Sequence, residues 1–307
     1  MASDSGIAPT WGAQLARATQ LLAEAGSPAP EQEAAELLSH LLGVPVALLM
    51  AQPGVAMRQN DVQMYASWVG RRAGGLPIPY ITGHLEFMGL DITVGWDSPL
   101  PPPGAPQVVD AALQWARSRA SGDLSVAEMD TGCGAIALAL AALEPRFTRI
   151  YALDASPETL SKARVNGERY LLNLVINWLD GRDLDAIPEP VDLIICGQPC
   201  LPSPSGSGVE RPEASGALKD ARLREIVGHM PLRSARLLTQ APEKLRPGGA
   251  LICIVAETER ASVTTLLQNW PTAPAWADAQ SDGIAIAVAQ LSQNTDDDTL
   301  SSGLKGE

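Results

Sequence analysis

Two glycines and a later acid are the residues whose spacing most clearly predicts chemistry. Gly132 and Gly134 come shortly after the segment that ends at Met129, and an alanine-rich stretch follows them. This order is typical of a strand, a tight turn and a buried helix, in which glycines allow a ligand close to the backbone and the helix start offers free N–H groups. Asp154, twenty residues beyond Gly134, ends a second apolar run and is placed to hold the hydroxyls of a ribose. The spacing therefore predicts a site for a nucleoside-type ligand.

The four cysteines suggest a second chemistry. Cys133, Cys196 and Cys200 are predicted at strand ends or in loops that an alternating fold brings to one edge of a sheet, where three sulfurs could bind a soft metal. Against this, Cys196 and Cys253 have the apolar neighbours of small core residues, and the chain has no Cys-x-x-Cys spacing. We therefore expect reduced thiols and no metal site.

Alternating elements are predicted to hold these residues in place. From residue 124 onward, short apolar runs alternate with helical segments, which predicts an α/β sandwich around a mainly parallel sheet. Ahead of it, apolar residues recur at helical spacing through 11–74, and the alternation over 76–94 predicts a two-stranded hairpin. The proline-rich run at 101–106 predicts a stiff linker.

These patterns divide the chain into segments with different expected structure. The predicted divisions are a disordered start (1–10), a helical domain (11–74), the hairpin and linker (75–106), the α/β domain (107–293) and a disordered polar tail (294–307). Within the α/β domain the third and fourth strands are predicted at 174–178 and 191–196, a loop at 197–202, and a turn at 246–249 that leads into the fifth strand.

Bulk composition excludes some classes of partner. The chain has 307 residues, 46% of them hydrophobic, and a formal net charge of −13. With no basic stripe, this charge argues against direct binding to nucleic acid or to an anionic membrane. No apolar run approaches the roughly 18 residues that a membrane span needs, and the first residues lack the basic and apolar regions of a secretory signal. We expect a cytoplasmic protein.

A set of short motifs, spread from the helical segment to the later strands, supports a more specific prediction. The motifs are Arg71-Arg72 with Pro77, Tyr80-Ile81-x-Gly83, Glu86-Phe87-x-Gly89-Leu90, the run from Thr131 to Leu138, Asp154 with Ser156, Asp192-Leu193-Ile194, and Pro247-Gly248-Gly249. In these the chain resembles the bacterial methyltransferases that modify a glutamine side chain of peptide-chain release factors.

The resemblance implies a fold, a cofactor and a partner. The fold is a seven-stranded Rossmann-like sheet that uses S-adenosylmethionine, and the helical domain and hairpin dock the release factor. The residues that would then bind the cofactor are Glu128, Asp130, Thr131, Gly132, Cys133, Gly134, Asp154 and Asp183. Asp183 has an alternative interpretation as a solvated loop acid, and Glu213 corresponds to a family glutamate after the catalytic loop.

The chain departs from the family where the chemistry is done. The family's Asn-Pro-Pro-Tyr loop corresponds to Gly197, Gln198, Pro199 and Cys200. A carboxamide nitrogen is a poor nucleophile, and the resemblance implies that the Asn oxygen and a backbone carbonyl orient it toward the methyl group. Gly197 has no side-chain acceptor and Cys200 has no ring, so the predicted loss in rate is on the order of 10²–10³.

The cofactor turn and the segment before it are altered as well. Asp130 replaces the first glycine of the family's turn. If the position needs a positive φ, a residue other than glycine destabilises the fold there by on the order of 1 kcal/mol, and Asp by somewhat less. The family's Arg-Pro-Glu-Thr-Glu is replaced by the run from Pro102 to Pro106, and a strand glutamate is replaced by Ile254. These departures predict that cofactor binding is weakened or lost.

Two hypotheses follow from the motifs and their departures. In the first, the chain is an active release factor glutamine methyltransferase. In the second, it is a catalytically impaired member, a pseudoenzyme, that keeps the fold as a protein-binding or cofactor-binding module. Because the losses cluster at Gly197 and in the cofactor turn, we favour impairment.

Overall fold

Helices build the first part of the chain, as the apolar spacing predicts. The computed structural model describes residues 9–96, 98–120, 122–181, 183–200, 232–278 and 283–292. It divides into two units, one formed by residues up to Leu85 together with Thr93–Trp96, and the other by Glu86–Ile92 and the chain from 98 onward. The helices of the first unit are α1 (Trp11–Glu24), α2 (Pro30–Leu42), α3 (Val46–Ala51), α4 (Gln59–Ala73) and α5 (Ile78–Thr82).

The core of this helical unit is aliphatic and is tied together by two polar contacts. Fully buried leucines from α1, α2 and α3 pack around Tyr65. The Tyr65 hydroxyl donates to the carbonyl of Ala34 at 2.8 Å, which satisfies the polar end of a buried ring. Arg72 donates through Nε and Nη2 to the two carboxylate oxygens of Glu33, at 2.9 and 2.8 Å, so α2 and α4 are joined by a fork-shaped ion pair.

The predicted hairpin is right only in its second half. Strands β1 (His84–Phe87) and β2 (Leu90–Thr93) form it, whereas residues 78–82 are the helix α5. Prolines explain the difference, because one before the helix and one in its first turn occupy positions whose N–H groups have no partner in a helix. Gly83, with φ +80°, then ends the helix.

The second unit contains a seven-stranded sheet with helices between its strands. Its elements in chain order are α6 (Ala105–Ser118), β3 (Leu124–Met129), α7 (Ala135–Leu143), β4 (Phe147–Asp154), α8 (Pro157–Arg169), β5 (Ile176–Asp180), β6 (Val191–Cys200), α9 (Leu232–Lys244), β7 (Leu245–Ala256), α10 (Arg260–Leu266), β8 (Ala275–Asp278) and β9 (Ile284–Gln290). Short 3₁₀ turns lie at 172–174, 184–186, 257–259 and 267–269.

The order of the strands creates one crevice. The sheet runs β5-β4-β3-β6-β7-β9-β8, with β3 parallel to both β4 and β6 and with β9 antiparallel to β7. The chain therefore leaves β3 toward one edge and returns to β6 on its other side. Ligands of open α/β sheets bind at the carboxyl ends of the strands where the order reverses in this way. The predicted seven-stranded Rossmann-like fold is confirmed.

Several predicted boundaries are wrong, for identifiable reasons. The third strand begins at Ile176 rather than 174, because a 3₁₀ turn occupies 172–174. The residues at 197–200 continue β6 instead of forming a loop, since a shift in register lets Cys200 pair with Val255. The predicted turn at 246–249 lies inside β7, where Gly248 has φ +74°.

Further differences lie at the ends of elements. Helix α6 begins at Ala105, inside the predicted linker at 101–106, because Pro106 fits its first turn. Strand β8 was not predicted at all. Thr10 forms a bridge with Ala56, contrary to its predicted disorder, and residues 1–8 of the same predicted segment lie outside the described residues. The polar tail at 294–307 lies outside the described residues. Over the residues that the structure describes, no helix has both the length and the apolarity to cross a membrane.

Candidate active site

The turn between β3 and α7 has the left-handed backbone that the glycine pattern predicts. Asp130, Gly132 and Gly134 have φ values of +56°, +57° and +84°. A Cβ at Gly132 would lie 2.8 Å from the carbonyl oxygen of Pro99, and one at Gly134 would lie 2.9 Å from the Trp178 ring. The protein's own atoms leave no room for a Cβ at either position, so both glycines are required whether or not a ligand binds.

Asp154 lies beside this turn, where the sequence predicted it. Its side chain is buried, with 2% exposed. One carboxylate oxygen, Oδ2, accepts a hydrogen bond from the N–H of Gly132 at 3.1 Å, and Oδ1 accepts from the N–H of Ser156 at 3.0 Å. The carboxylate thus joins the end of β4 to the glycine turn and to the start of α8.

Glu128 is a buried carboxyl that supports the start of α7. Its Oε2 accepts from the Thr131 hydroxyl at 2.6 Å and from the N–H of Ala137 at 3.1 Å. Because Gly134 has no side chain to cap α7, Glu128 satisfies one of the first N–H groups of that helix instead. Burial raises the pKa of Glu128 from 4.5 to about 8, with smaller opposing effects from its hydrogen bonds and a further rise from the nearby carboxylates of Asp154 and Asp130.

A proline segment, defined here as Pro99–Pro102, lies against the turn. The carbonyl of Pro99 accepts a hydrogen bond from the N–H of Cys133 at 3.3 Å. Between the segment and the strand ends there is a cavity of about 10 Å³, which is close to the space that one water molecule needs. The residues that line the cavity are Pro99, Leu100, Pro101, Pro102, Glu128, Asp130, Thr131, Gly132, Ala135, Ile136 and Gly197.

The N–H groups of the turn all have acceptors within the protein. Thr131 donates to the carbonyl of Leu153 at 2.8 Å, and Gly134 donates to the carbonyl of Thr131 at 2.9 Å. Gly132 and Cys133 donate to Asp154 and Pro99 as described above. The free donors that a helix start offers to a ligand are therefore not available on residues 131–134 in this conformation.

Gly197 lies at the same cavity, on β6. It is buried, and a Cβ built on it would lie 3.3 Å from Cδ1 of Ile136 and 3.9 Å from Cγ of Pro102. The neighbours of this position are therefore apolar. Gln198, Pro199 and Cys200 follow in β6, and their side chains are outside the described part of the structure.

The remaining predicted site residues do not join the cavity. Asp183 is exposed and precedes the 3₁₀ turn at 184–186. Cys133 is buried, which raises the pKa of its thiol to about 12. Cys196 and Cys253 are buried opposite each other on β6 and β7. Within the described residues no group of three or more His, Cys, Asp and Glu side chains is arranged to hold a metal, and Glu213 lies outside those residues.

Two residues that support the turn were not predicted. Asn166 of α8 is buried and donates from Nδ2 to the carbonyl of Cys133 at 3.1 Å. Trp178 of β5 packs against Gly134 and donates from Nε1 to Oδ1 of Asn173 at 2.7 Å. Neither contact has a signal in local sequence, because each joins residues that only the folded sheet brings together.

We expect the left-handed backbone at Asp130 to be measurable as strain. Replacement by Gly should give a free energy of unfolding about 1 kcal/mol higher than replacement by Ala, because only Gly adopts this conformation without steric cost. The control is Asp110, an exposed residue within α6, where Gly should instead be about 1 kcal/mol less stable than Ala. Urea denaturation of the four variants measures both differences, and the same sign at both positions would contradict the assignment.

The raised pKa of Glu128 predicts a pH-dependent stability. A carboxyl whose folded-state pKa lies above its unfolded value stabilises the fold fully at low pH and loses that contribution as pH rises. The free energy of unfolding of the wild type, relative to Glu128→Gln, should therefore fall between about pH 4.5 and 8 and then level off. Thr131→Val removes a hydrogen bond that lowers the folded-state pKa, so it should extend the upper limit of this window to higher pH and leave the lower limit, set by the unfolded chain, unchanged. A difference that does not change with pH would exclude the buried carboxyl as its source.

Comparisons with known proteins agree with the architecture. Residues 13–83 match the model of the PrmC N-terminal domain. The chain is 32% identical to the release factor glutamine methyltransferase of Streptomyces coelicolor over 271 residues, which cover 87% of this chain and 91% of that protein. It is 31% identical to the protein of the same name from Deinococcus radiodurans, with 87% and 92% covered.

Two solved structures of methyltransferases superpose on part of this chain. The 16S rRNA N2 G1207 methyltransferase of T. thermophilus superposes with a TM-score of 0.47 at 14% identity, covering 68% of this chain and 49% of that one. The ribosomal protein L11 methylase of Lactobacillus delbrueckii gives 0.43 at 16% identity, covering 65% and 85%. The sequence relatives, which match over nearly their whole length, decide the classification: the chain belongs to the release factor glutamine methyltransferase family.

Proposed function

We propose that this chain keeps the cofactor site and the methyltransferase scaffold of its family but is impaired in methyl transfer to a glutamine side chain. The observation that carries the proposal is Gly197. At this position the family has an asparagine, and here the neighbouring atoms are Cδ1 of Ile136 and Cγ of Pro102. An apolar surface replaces the acceptor that would orient a carboxamide nitrogen.

The side chains around the cavity are of a type that fits S-adenosylmethionine. This cofactor carries an electrophilic methyl group on a cationic sulfonium. Asp154 ends the second strand of the crossover, where an acid is placed for a ribose, and Glu128 and Asp130 line the cavity. None of the described residues that line it has a cationic side chain. The charge comes from the two aspartates, because Glu128, with its pKa raised to about 8, is mostly uncharged at neutral pH. The ligand class that this charge favours is an organic cation.

The space around the cavity does not fit the cofactor in the same conformation. Ligand pockets for molecules of this size usually have volumes of about 300–1,000 Å³, whereas the cavity beside Gly132 has about 10 Å³. Binding therefore requires a movement of the surrounding chain. The residues that would hold the nucleoside are Asp154 and the glycine turn, and both now bind other parts of the protein.

The expected impairment follows from the chemistry of the amide. The lone pair of a carboxamide nitrogen is delocalised, so it must be held in position by acceptors for its N–H groups. Gly197 supplies no side chain for this purpose. Loss of one such preorganised group reduces a rate on the order of 10²–10³. A protein of this kind would still bind its cofactor and its partner, and would act as a binding module and not as an enzyme.

Restoring the acceptor tests the proposal. Asn at position 197 needs room beside Ile136, whose Cδ1 would lie 3.3 Å from the new Cβ, so the variant is Gly197→Asn with Ile136→Val. We expect methyl transfer from labelled S-adenosylmethionine to a release factor to rise by about 10² relative to the wild type. The matched control, Gly197→Ala with Ile136→Val, should show no gain.

Two results would decide against parts of this proposal. Transfer by the wild type as fast as that of the Asn variant would show that the chain is active without the family's acceptor. Calorimetry of the wild type with S-adenosylmethionine tests the cofactor separately. If the wild type does not bind S-adenosylmethionine and the Asn variant shows no faster methyl transfer, only a protein-binding role would remain.

We further propose that the helical unit docks the release factor, which would place the chain in the cytoplasm where translation terminates. The match of residues 13–83 to the PrmC N-terminal domain supports a shared role. A candidate anchor is Trp96, which is 64% exposed and stacks on Tyr80 with ring centroids 5.5 Å apart and planes within 7°. Exposed aromatic side chains held in one orientation frequently dominate binding energy.

The docking proposal can be tested without catalysis. Trp96→Ala should weaken binding to a release factor about 10-fold in a calorimetric or optical assay, because it removes a large rigid contact. Met50→Ala is the control, since Met50 is 65% exposed on the same unit and lies on α3, whereas Trp96 follows β2. Equal effects of the two substitutions would show that Trp96 is not the anchor.

A further inference from the structure

We propose that the proline segment Pro99–Pro102 closes the cofactor pocket from within and must be displaced before a ligand enters. The inference rests on the proposed function for the identity of the ligand, S-adenosylmethionine. The closure itself stands on contacts within the second unit. The segment acts as an internal competitor for the glycine turn.

The first support is the position of the Pro99 carbonyl. It accepts the N–H of Cys133 at 3.3 Å and lies 2.8 Å from the place that a Cβ on Gly132 would take. A glycine turn that leads into a helix offers its N–H groups to a bound ligand. Here a carbonyl of the chain uses one of those donors and occupies the space made by the absence of a Cβ.

The second support is that the closed arrangement needs no ligand to satisfy its polar groups. Residues 131–134 donate to acceptors within the protein, and both oxygens of Asp154 accept backbone N–H groups. A buried backbone donor without a partner would destabilise an empty pocket. Residues 131–134 have no such donor, so this turn does not penalise the arrangement without a ligand.

The third support is the composition of the segment. Proline has no N–H, so Pro99, Pro101 and Pro102 can present only carbonyl groups and apolar rings to the turn. Restricted φ angles also reduce the entropy that the segment loses on closing. After Pro103, Gly104 has φ +87° and directly precedes α6, so the segment is anchored to a helix at one end.

Closure has a quantitative consequence for binding. When only a fraction of the molecules is open, the apparent dissociation constant is the intrinsic constant divided by that fraction. Substitutions that weaken closure should therefore tighten binding, although they remove atoms from the wall of the pocket. A wall that simply contacted the ligand would give the opposite result.

The experiment compares the wild type with a double variant that carries both Pro101→Gly and Pro102→Gly. We expect the double variant to bind S-adenosylmethionine about 10-fold more tightly in calorimetry, because each replacement makes the open state more favourable. We also expect faster hydrogen exchange at the amide of Cys133 in the absence of any ligand, since its acceptor is Pro99. The control is Pro271→Gly with Pro274→Gly, in a loop of the same unit, which should change neither quantity.

The two measurements separate the closure from the proposed function. Unchanged exchange at Cys133 in the double variant would overturn the closure. Faster exchange, with binding of S-adenosylmethionine that is measurable but unchanged or weaker than that of the wild type, would also overturn it, because the segment would then not compete with the ligand. Faster exchange with no binding by any variant would support the closure and refute the cofactor that we have proposed.

Discussion

The carboxylate of Asp154 is the group on which the rest of the site depends. It accepts one backbone N–H from the glycine turn and another from the start of α8, so three elements meet at a single buried side chain. Hydrogen bonds to an ionised acceptor are strong in a medium of low polarity. Removal of either donor would leave a buried charge less well satisfied. The residue that the sequence marks as a ligand contact is also a part of the fold.

Local patterns predicted the elements that depend on local periodicity. The alternation of strands and helices and the glycine turn beside Asp154 are both found where the sequence indicates them. The errors arise where distant partners decide the structure. β8 has the short sequence Ala-Trp-Ala-Asp and exists through its pairing with β9, and β6 extends to Cys200 because β7 continues beside it.

Several residues predicted for the site lie together in the structure, but their contacts could not be predicted. The sequence placed Glu128, Asp130 and Gly197 at one site, and all three line the same cavity. Nothing in the local sequence predicts that Glu128 caps α7, nor that Pro99 reaches Cys133. Both contacts depend on how the crossover brings separate segments together, and only their three-dimensional arrangement separates a group that supports the fold from one that faces a ligand.

The close packing at the glycine turn means that its glycines alone are weak evidence that a protein binds a nucleoside. Gly132 has a carbonyl oxygen against it and Gly134 has an indole ring, so larger residues at these positions would disturb the protein even in a lineage that had stopped binding nucleosides. A glycine motif of this kind can outlast the activity for which it is named. Loss of activity should be sought first at positions outside this close packing, where a substitution can change the chemistry and leave the sheet intact.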